Sequence, residues 1–232
     1  MNRKQVVRIQ TSMLNEVEKK ALIWLANRQP AWMTSDFMTF VGFLGALLIS
    51  AGYILYDFNY NFLWLSTFGL IVNWYGDSLD GTIARVRNKQ RPLYGYYLDH
   101  SMDVVNEFIM FFGVGISSLL NMNIALLLFV VYMALSLNVS MNVHLRGEFK
   151  LTYAKMGPTE FRLIIITVNT LFAFIRPLRD YSCELMLLKQ NFQFGIFDFA
   201  GMGILLLLLT IYVVTIIRDT MYYNKIDPKK DE

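Results

Sequence analysis

The sequence predicts an all-α integral membrane protein with six transmembrane helices and an amphipathic N-terminal helix on the membrane surface. Hydrophobic residues make up 55% of the 232 residues and aromatic residues 15%, and the mean hydropathy is +0.40. These values exceed those of an ordinary soluble protein. Several apolar stretches also approach the length of about 20 residues that a helix needs to cross the hydrocarbon core. The single cysteine, Cys183, excludes an intrachain disulfide and a cysteine metal cluster.

The N-terminal segment, residues 1–30, has the pattern of a helix that lies on a membrane surface. Apolar residues recur at helical spacing among basic ones, at Leu14, Val17, Ala21, Trp24 and Leu25. A helix over residues 2–29 would turn its cations toward anionic headgroups and its apolar stripe toward the lipid. A soluble helix packed on the rest of the protein is the alternative. No cleavable signal peptide is expected.

The six predicted spans form one domain, residues 31–221, and a polar tail, residues 222–232, follows it. The spans are predicted at about residues 37–56, 62–84, 93–120, 123–143, 158–174 and 197–217. If the N-terminus is inside, all of the 21 lysines and arginines lie on the inner side except Arg176, Arg179 and Lys189. The positive-inside rule therefore predicts that both termini are cytoplasmic.

Four aspartates flank the loop between the second and third spans, in two helix-spaced pairs. Asp77 and Asp80 share one face of the second helix, and Asp99 and Asp103 share one face of the third. Small residues on the same faces are Gly81, Ala84 and Gly95. If the two helices pack antiparallel across their short connection, the faces meet and four carboxylates converge on the cytoplasmic side.

Four carboxylates so close together would repel one another without cations between them. Oxygen ligands without cysteine or histidine at the paired positions favour Mg²⁺ or Mn²⁺ over zinc. Two such ions could clamp a phosphoryl group during a displacement reaction. The alternatives are a solvated cytoplasmic hairpin and a divalent-cation transporter, although carboxylates on a transport pathway would be expected deeper in the membrane.

The order of these residues resembles the signature of the CDP-alcohol phosphatidyltransferases. The matching positions are Asp77-x-x-Asp80-Gly81-x-x-Ala84-Arg85 and Gly95-x-x-x-Asp99-x-x-x-Asp103. The loop between Arg85 and Gly95 is slightly longer than the family pattern. A further stretch from Thr34 to Thr39 resembles the Thr-Pro-Asp/Asn-x-x-Thr segment that opens the family's first membrane helix, with serine in place of proline.

The resemblance implies that an acceptor hydroxyl attacks the β-phosphorus of a CDP-linked alcohol and releases CMP. It further implies that Asp77, Asp80 and Asp99 bind two metal ions, and that Asp103 binds one of them and acts as the general base. Gly81 and Arg85 would contact the nucleotide diphosphate, with Ala84 beside them. The candidate cytidine contacts are Thr34, Ser35, Asp36 and Phe37. Helix capping alone would also explain the first three.

An acceptor pocket is predicted on the cytoplasmic side, near the metals. Its candidate residues are Arg146, Lys150, Lys155, Glu160 and Arg162. Arg162 lies a turn inside the fifth span, where an arginine needs a partner. Glu107 extends the aspartate stripe and is interpreted as a buried hydrogen-bonding residue, and His100 as a bystander or an indirect contact of the site.

The expected partners are a CDP-linked alcohol, with CDP-diacylglycerol as the first candidate, and an alcohol acceptor. The resemblance also implies a homodimer in the inner, cytoplasmic membrane, and no nucleic acid is expected as a partner. Glycerol phosphate, inositol phosphate, serine and choline all remain candidate acceptors, and so does the reverse use of a soluble CDP-alcohol with diacylglycerol.

Overall fold

The computed structural model describes residues 7–9, 14–146, 148–150, 158–187 and 190–229, and these residues are mainly helical. The helices are α1 Asn15–Arg28, α2 Ser35–Leu55, α3 Leu63–Val86, α4 Pro92–Ile116, α5 Met122–Arg146, α6 Pro158–Phe174, α7 Arg176–Arg179 and α8 Ile196–Ile226. The strands are β1 Val7–Ile9, β2 Glu148–Lys150, β3 Ser182–Leu187 and β4 Gln190–Gly195. β1 pairs with β2 in parallel, and β3 and β4 form an antiparallel hairpin.

Each predicted span coincides with a helix, and local chemistry explains where several of them begin. Thr34 caps α2, because its hydroxyl oxygen accepts a hydrogen bond from the backbone N–H of Phe37 at 3.2 Å. Pro92 and Pro158 start α4 and α6, where the missing N–H of proline costs nothing. Three of the helices, α2, α5 and α8, are long and apolar enough to cross a membrane. These elements are those of a helical membrane protein.

Helix α2 is the centre of the packing. It makes extensive contact with both α3 and α4, whereas α3 and α4 touch each other only sparsely. Glycines bring the backbones of α2 and α3 together. A Cβ atom at Gly76 would lie 2.6 Å from the carbonyl oxygen of Met38, and one at Gly45 would lie 2.6 Å from Cα of Asn73. These small residues place the aspartates of α3 directly beside α2.

The N-terminal helix is shorter than predicted. Helix α1 covers only the second half of residues 2–29, and β1 lies where its first half was expected. The β-branched residues of β1 favour an extended strand. Leu22 and Ala26 are buried against α3, while Val17 and Trp24 of the predicted apolar stripe stay exposed. Residues 1–6 and 10–13 lie outside the described residues.

The second half of the chain contains three features that the sequence analysis did not predict. Helix α7 and the β3–β4 hairpin occupy the connection between α6 and α8, where no element was expected. Helix α8 continues to Ile226, so the predicted tail from residue 222 begins as helix. The helix ends there because Asp227 precedes Pro228, and a residue before proline disfavours the helical conformation. Residues 230–232 of the tail lie outside the described part.

Candidate active site

The four aspartates line one cleft between α2, α3 and α4. Asp77 and Asp80 come from α3, and Asp99 and Asp103 come from α4. The other lining residues are Thr39, Gly42, Met102 and Asn106. The two predicted aspartate faces, on α3 and α4, therefore lie opposite each other across a gap instead of packing directly. Helix α2 forms the bottom of this gap. The gap exists because α3 and α4 each pack on α2.

Asp80 is the buried member of the group, with 8% of its surface exposed. Its Oδ2 accepts a hydrogen bond from the Thr39 hydroxyl at 2.9 Å, and its Oδ1 accepts one from the backbone N–H of Gly81. Because Thr39 belongs to α2, this hydrogen bond connects α2 to α3 inside the cleft. Both carboxylate oxygens are therefore held in a defined orientation.

Asp77 forms an ion pair with Arg162 of α6, whose Nη2 lies 2.8 Å from Asp77 Oδ2. The same nitrogen donates a hydrogen bond to Asn73 Oδ1 at 3.1 Å, and Asn73 Nδ2 donates one to the carbonyl oxygen of Gly42 at 2.9 Å. Arg162 thus has the partners that its position in the fifth predicted span required. These contacts tie α6 to the cleft.

On α4, Asp99, His100 and Asp103 each offer one ligand atom within 4.8 Å of the others. His100 Nδ1 lies 3.5 Å from Asp99 Oδ2, and its ring packs on Tyr96 with 4.1 Å between the ring centroids. Helical spacing puts His100 about 100° from Asp99 on α4, yet its ring lies between Tyr96 and Asp99 and reaches the aspartate. The Asp99 side chain is 44% exposed, so the cleft opens on this side.

Glu107 lies one turn beyond Asp103 on the same stripe of α4. It accepts a hydrogen bond from the Tyr132 hydroxyl of α5. This contact matches the buried hydrogen bond expected from the sequence. It gives Glu107 a role in holding α4 against α5 rather than a place in the lining of the cleft.

The donor set of the cleft fits a hard divalent cation. Asp77, Asp80, Asp99 and Asp103 provide carboxylate oxygens, which Mg²⁺ and Mn²⁺ prefer. Arg162 pairs with only one of them. The repulsion that remains among the carboxylates would be relieved by bound cations. These four residues could therefore hold metal ions.

We expect Arg162→Met to destabilise the metal-free protein more than the Mn²⁺-loaded protein. Losing one partner of a largely buried ion pair costs about 3 kcal/mol, and a cation at Asp77 would replace the missing positive charge. The melting temperature should fall by about 5 °C or more in EDTA and recover largely in Mn²⁺. Arg179→Met is the control, because Arg179 pairs with Asp180 outside the cleft. An equal loss for Arg162→Met with and without Mn²⁺ would contradict a cation at Asp77.

The predicted diphosphate contacts lie on the last turns of α3. A Cβ atom at Gly81 would lie 3.2 Å from Arg85 Nη1, so the guanidinium group covers this glycine. Arg85 is exposed, and its Nη2 donates a hydrogen bond to the Thr82 hydroxyl at 2.9 Å. Ala84 is partly buried on the same helix. Gly95, on α4, has open space around it.

The predicted cytidine contacts lie in the first turn of α2. They are Thr34, Ser35, Asp36 and Phe37. Thr34 has the capping role described above, and the exposed Asp36 lies 3.6 Å from Arg91 Nη1. The residue of this segment that lines the cleft is Thr39. The four predicted residues thus lie at the N-terminal end of α2, one turn before the cleft. The hydroxyl that enters the cleft is that of Thr39, which was not predicted as a contact.

Arg87 is a further residue that the sequence analysis did not single out. Its guanidinium group donates hydrogen bonds to the backbone carbonyl oxygens of Gln29 and Pro30 at 2.9 Å and of Met33 at 2.6 Å. These contacts fasten the α1–α2 connection to the end of α3. No sequence signal could identify this role, because the acceptors are backbone atoms.

The residues predicted to line the pocket for the acceptor alcohol fall into three groups according to where they lie. Arg162 reaches the cleft, as described. Glu160 Oε1 instead accepts a hydrogen bond from the backbone N–H of Leu14 at 3.0 Å, which connects α6 to the start of α1. The candidates outside the described part of the structure are Lys155 and the side chains of Arg146 and Lys150.

The fold and the cleft define a class of helical membrane proteins in which carboxylates on neighbouring helices can hold divalent cations. The family model described as CDP-alcohol phosphatidyltransferase matches residues 32–197, and the chain belongs to this family. No curated protein gave a significant match. The protein is therefore a transferase that moves a substituted phosphate group from a CDP-alcohol to an alcohol acceptor in phospholipid biosynthesis. This result confirms the resemblance and favours the enzyme over the cation transporter.

Proposed function

We propose that this transferase moves a phosphatidyl group from CDP-diacylglycerol to an alcohol acceptor and uses two divalent ions, Mg²⁺ or Mn²⁺. The observation that carries the proposal is the convergence of both halves of the family signature on one cleft. Asp77, Asp80 and Asp99 are the proposed metal ligands, and Asp103 is proposed as a fourth ligand that binds one of the two ions. Bound ions supply positive charge that neutralises the phosphate oxygens during transfer.

In the proposed reaction, Asp103 takes the proton of the acceptor hydroxyl while the oxygen of that hydroxyl attacks the β-phosphorus of the CDP-alcohol. The bond between that phosphorus and the oxygen bridging to the α-phosphate breaks. A phosphodiester forms, and CMP leaves with the bridging oxygen. Asp103 suits this role because it lines the cleft beside Asp99, close to the side on which the cleft opens.

The proposed nucleotide site adjoins the open side of the cleft. Arg85 supplies an exposed guanidinium group for the diphosphate, and Gly81 and Ala84 leave space beside it. The first turn of α2, residues 34–37, is proposed to contact the cytidine. The positive end of the helix dipole at this turn favours negatively charged or hydrogen-bond-accepting groups.

Arg162 is proposed to contact the acceptor alcohol. Its guanidinium group contacts Asp77, which lines the cleft, and cations bound to Asp77 would weaken this attraction. A phosphate or carboxylate on the acceptor could then take the place of that carboxylate. Arg146, Lys150 and Lys155 remain proposed contributors from the loop between α5 and α6.

The proposed membrane arrangement has six spans, α2 to α6 and α8, within a catalytic domain of residues 31–221. The distribution of lysine and arginine supports cytoplasmic termini and a cytoplasmic cleft in the inner membrane. The exposed Val17 and Trp24 of α1 suit contact with the lipid surface. A homodimer is proposed as the working assembly.

The proposal predicts that purified protein releases CMP from radiolabelled CDP-diacylglycerol when Mn²⁺ and the correct alcohol are present. Each candidate acceptor is tested separately, and EDTA should abolish release because the carboxylates lose their cations. Readdition of Mn²⁺ or Mg²⁺ should restore it. Absence of CMP release with every acceptor would refute CDP-diacylglycerol as the donor. Activity with CDP-choline and diacylglycerol instead would reassign the donor, and activity that persists in EDTA would exclude the metal requirement.

A further inference from the structure

Asn106 lies on α4 one turn beyond Asp103 and lines the same cleft. Only 7% of its surface is exposed, and its Oδ1 atom is buried without a hydrogen-bond partner among the described residues. Leaving a buried carbonyl oxygen without a partner costs about 1–3 kcal/mol. The position of Asn106 therefore suggests that something bound in the cleft supplies the missing partner.

Other buried asparagines of the protein have partners within the fold. Asn169 accepts a hydrogen bond from the Tyr53 hydroxyl at 3.2 Å and donates one to Thr67 at 3.4 Å. Asn73 is joined to Arg162 and to the backbone of α2, as described above. Among the buried asparagines that the structure describes, the one with an unpartnered oxygen is thus the one that lines the cleft.

The neighbours of Asn106 in the cleft narrow down the missing partner. Asp77, Asp80 and Asp103 are hydrogen-bond acceptors when ionised, so they cannot donate to Oδ1. The partner is then a cation, a water molecule or a donor group of a ligand. An asparagine carbonyl oxygen is a hard ligand of the kind that divalent ions take in proteins. It also adds a coordinating atom without adding negative charge to a crowded acidic site.

We propose that Asn106 provides a neutral oxygen ligand to a divalent cation held by these carboxylates. The proposal rests on the metal-dependent function proposed above. It assigns to the cleft a fifth oxygen donor that lies outside the aspartate signature. Because the oxygen has no partner in the metal-free fold, its removal should weaken cation binding without destabilising the metal-free protein.

The test measures Mn²⁺ affinity by electron paramagnetic resonance, together with the melting temperature in EDTA, for the full chain in detergent. Asn106→Leu removes both polar atoms at nearly constant volume, and Asn106→Asp keeps an oxygen at the same position. Asn169→Leu is the matched control. Asn106→Leu should bind Mn²⁺ about 10-fold more weakly, with an unchanged or higher melting temperature in EDTA. Asn106→Asp should retain Mn²⁺ binding, and Asn169→Leu should melt earlier but keep its Mn²⁺ affinity.

Three results would overturn the proposal. A lower melting temperature of Asn106→Leu in EDTA, with unchanged Mn²⁺ affinity, would make Asn106 a structural residue. Unchanged Mn²⁺ affinity with a raised KM for the acceptor alcohol would assign Asn106 to the acceptor hydroxyl instead. A failure of the unsubstituted protein to bind Mn²⁺ would refute the metal-dependent function itself, and with it this proposal.

Discussion

Asp103→Asn is expected to lower the rate of CMP release by about 10²–10⁴-fold, which is the usual contribution of a general base. The carboxamide keeps the size of the side chain and one oxygen, but it cannot take the proton of the acceptor hydroxyl. Asp77, Asp80 and Asp99 remain available to hold a cation, so binding of CDP-diacylglycerol should stay detectable. Radiolabelled CMP release and equilibrium binding of CDP-diacylglycerol, measured on one preparation, separate these two effects.

Asp180→Asn is the control for this experiment. Asp180 follows α7, its side chain is 69% exposed, and it is not part of the cleft lining. Its substitution should leave both the rate and the binding unchanged. If Asp103→Asn instead loses CDP-diacylglycerol binding together with activity, Asp103 acts only as a metal ligand. Full activity of Asp103→Asn would exclude it as the base.

Gly76→Ala is expected to prevent α2 and α3 from packing, although it adds only one carbon atom. That carbon would lie 2.6 Å from the carbonyl oxygen of Met38 and 2.7 Å from Cα of Gly42. Overpacking usually costs about 1–3 kcal/mol, and the cost should reach or exceed the upper value here because backbone atoms cannot rotate away. The yield of monodisperse protein and its melting temperature should both fall sharply. Activity should also be lost, because Asp77 follows Gly76 directly.

Gly203→Ala is the same chemical change as Gly76→Ala, but it is expected to leave the protein as stable as before or more stable. A Cβ atom at Gly203 would have no neighbour within 4 Å, and alanine is favoured over glycine inside a helix by about 1 kcal/mol. The melting temperature of this variant should stay constant or rise. A Gly76→Ala protein that is as stable as the unsubstituted protein would contradict the close approach of α2 and α3.

Helical spacing was sufficient to predict which faces carry the aspartates. Residues three or four apart share a helix face in any fold, so the pairs Asp77 with Asp80 and Asp99 with Asp103 follow from local geometry. The helices that carry the aspartates could be predicted equally well, because an apolar stretch long enough to cross a membrane has few alternatives to a helix. The sequence also predicted that Arg162 has a partner, because a charged side chain inside an apolar span needs one.

Contacts between distant segments could not be predicted in this way. The partner of Arg162 is Asp77, and the partner of Asp80 is Thr39; both depend on which helices become neighbours. The glycines that join α2 to α3 are visible in the sequence, but only the packing shows which helix they face. Spacing could not show whether the ring of His100 turns toward Asp99, because its direction depends on neighbours such as Tyr96.

The sequence by itself determined the helical membrane class, the two aspartate faces and the family. Each of these depends on composition or on spacing within one segment. Only the tertiary structure decided that α3 and α4 both pack on α2, that α6 supplies Arg162 to Asp77, and that Asn106 lines the cleft with an unpartnered oxygen. These features arise from packing between helices that are far apart in the chain, and local periodicity carries no information about such contacts.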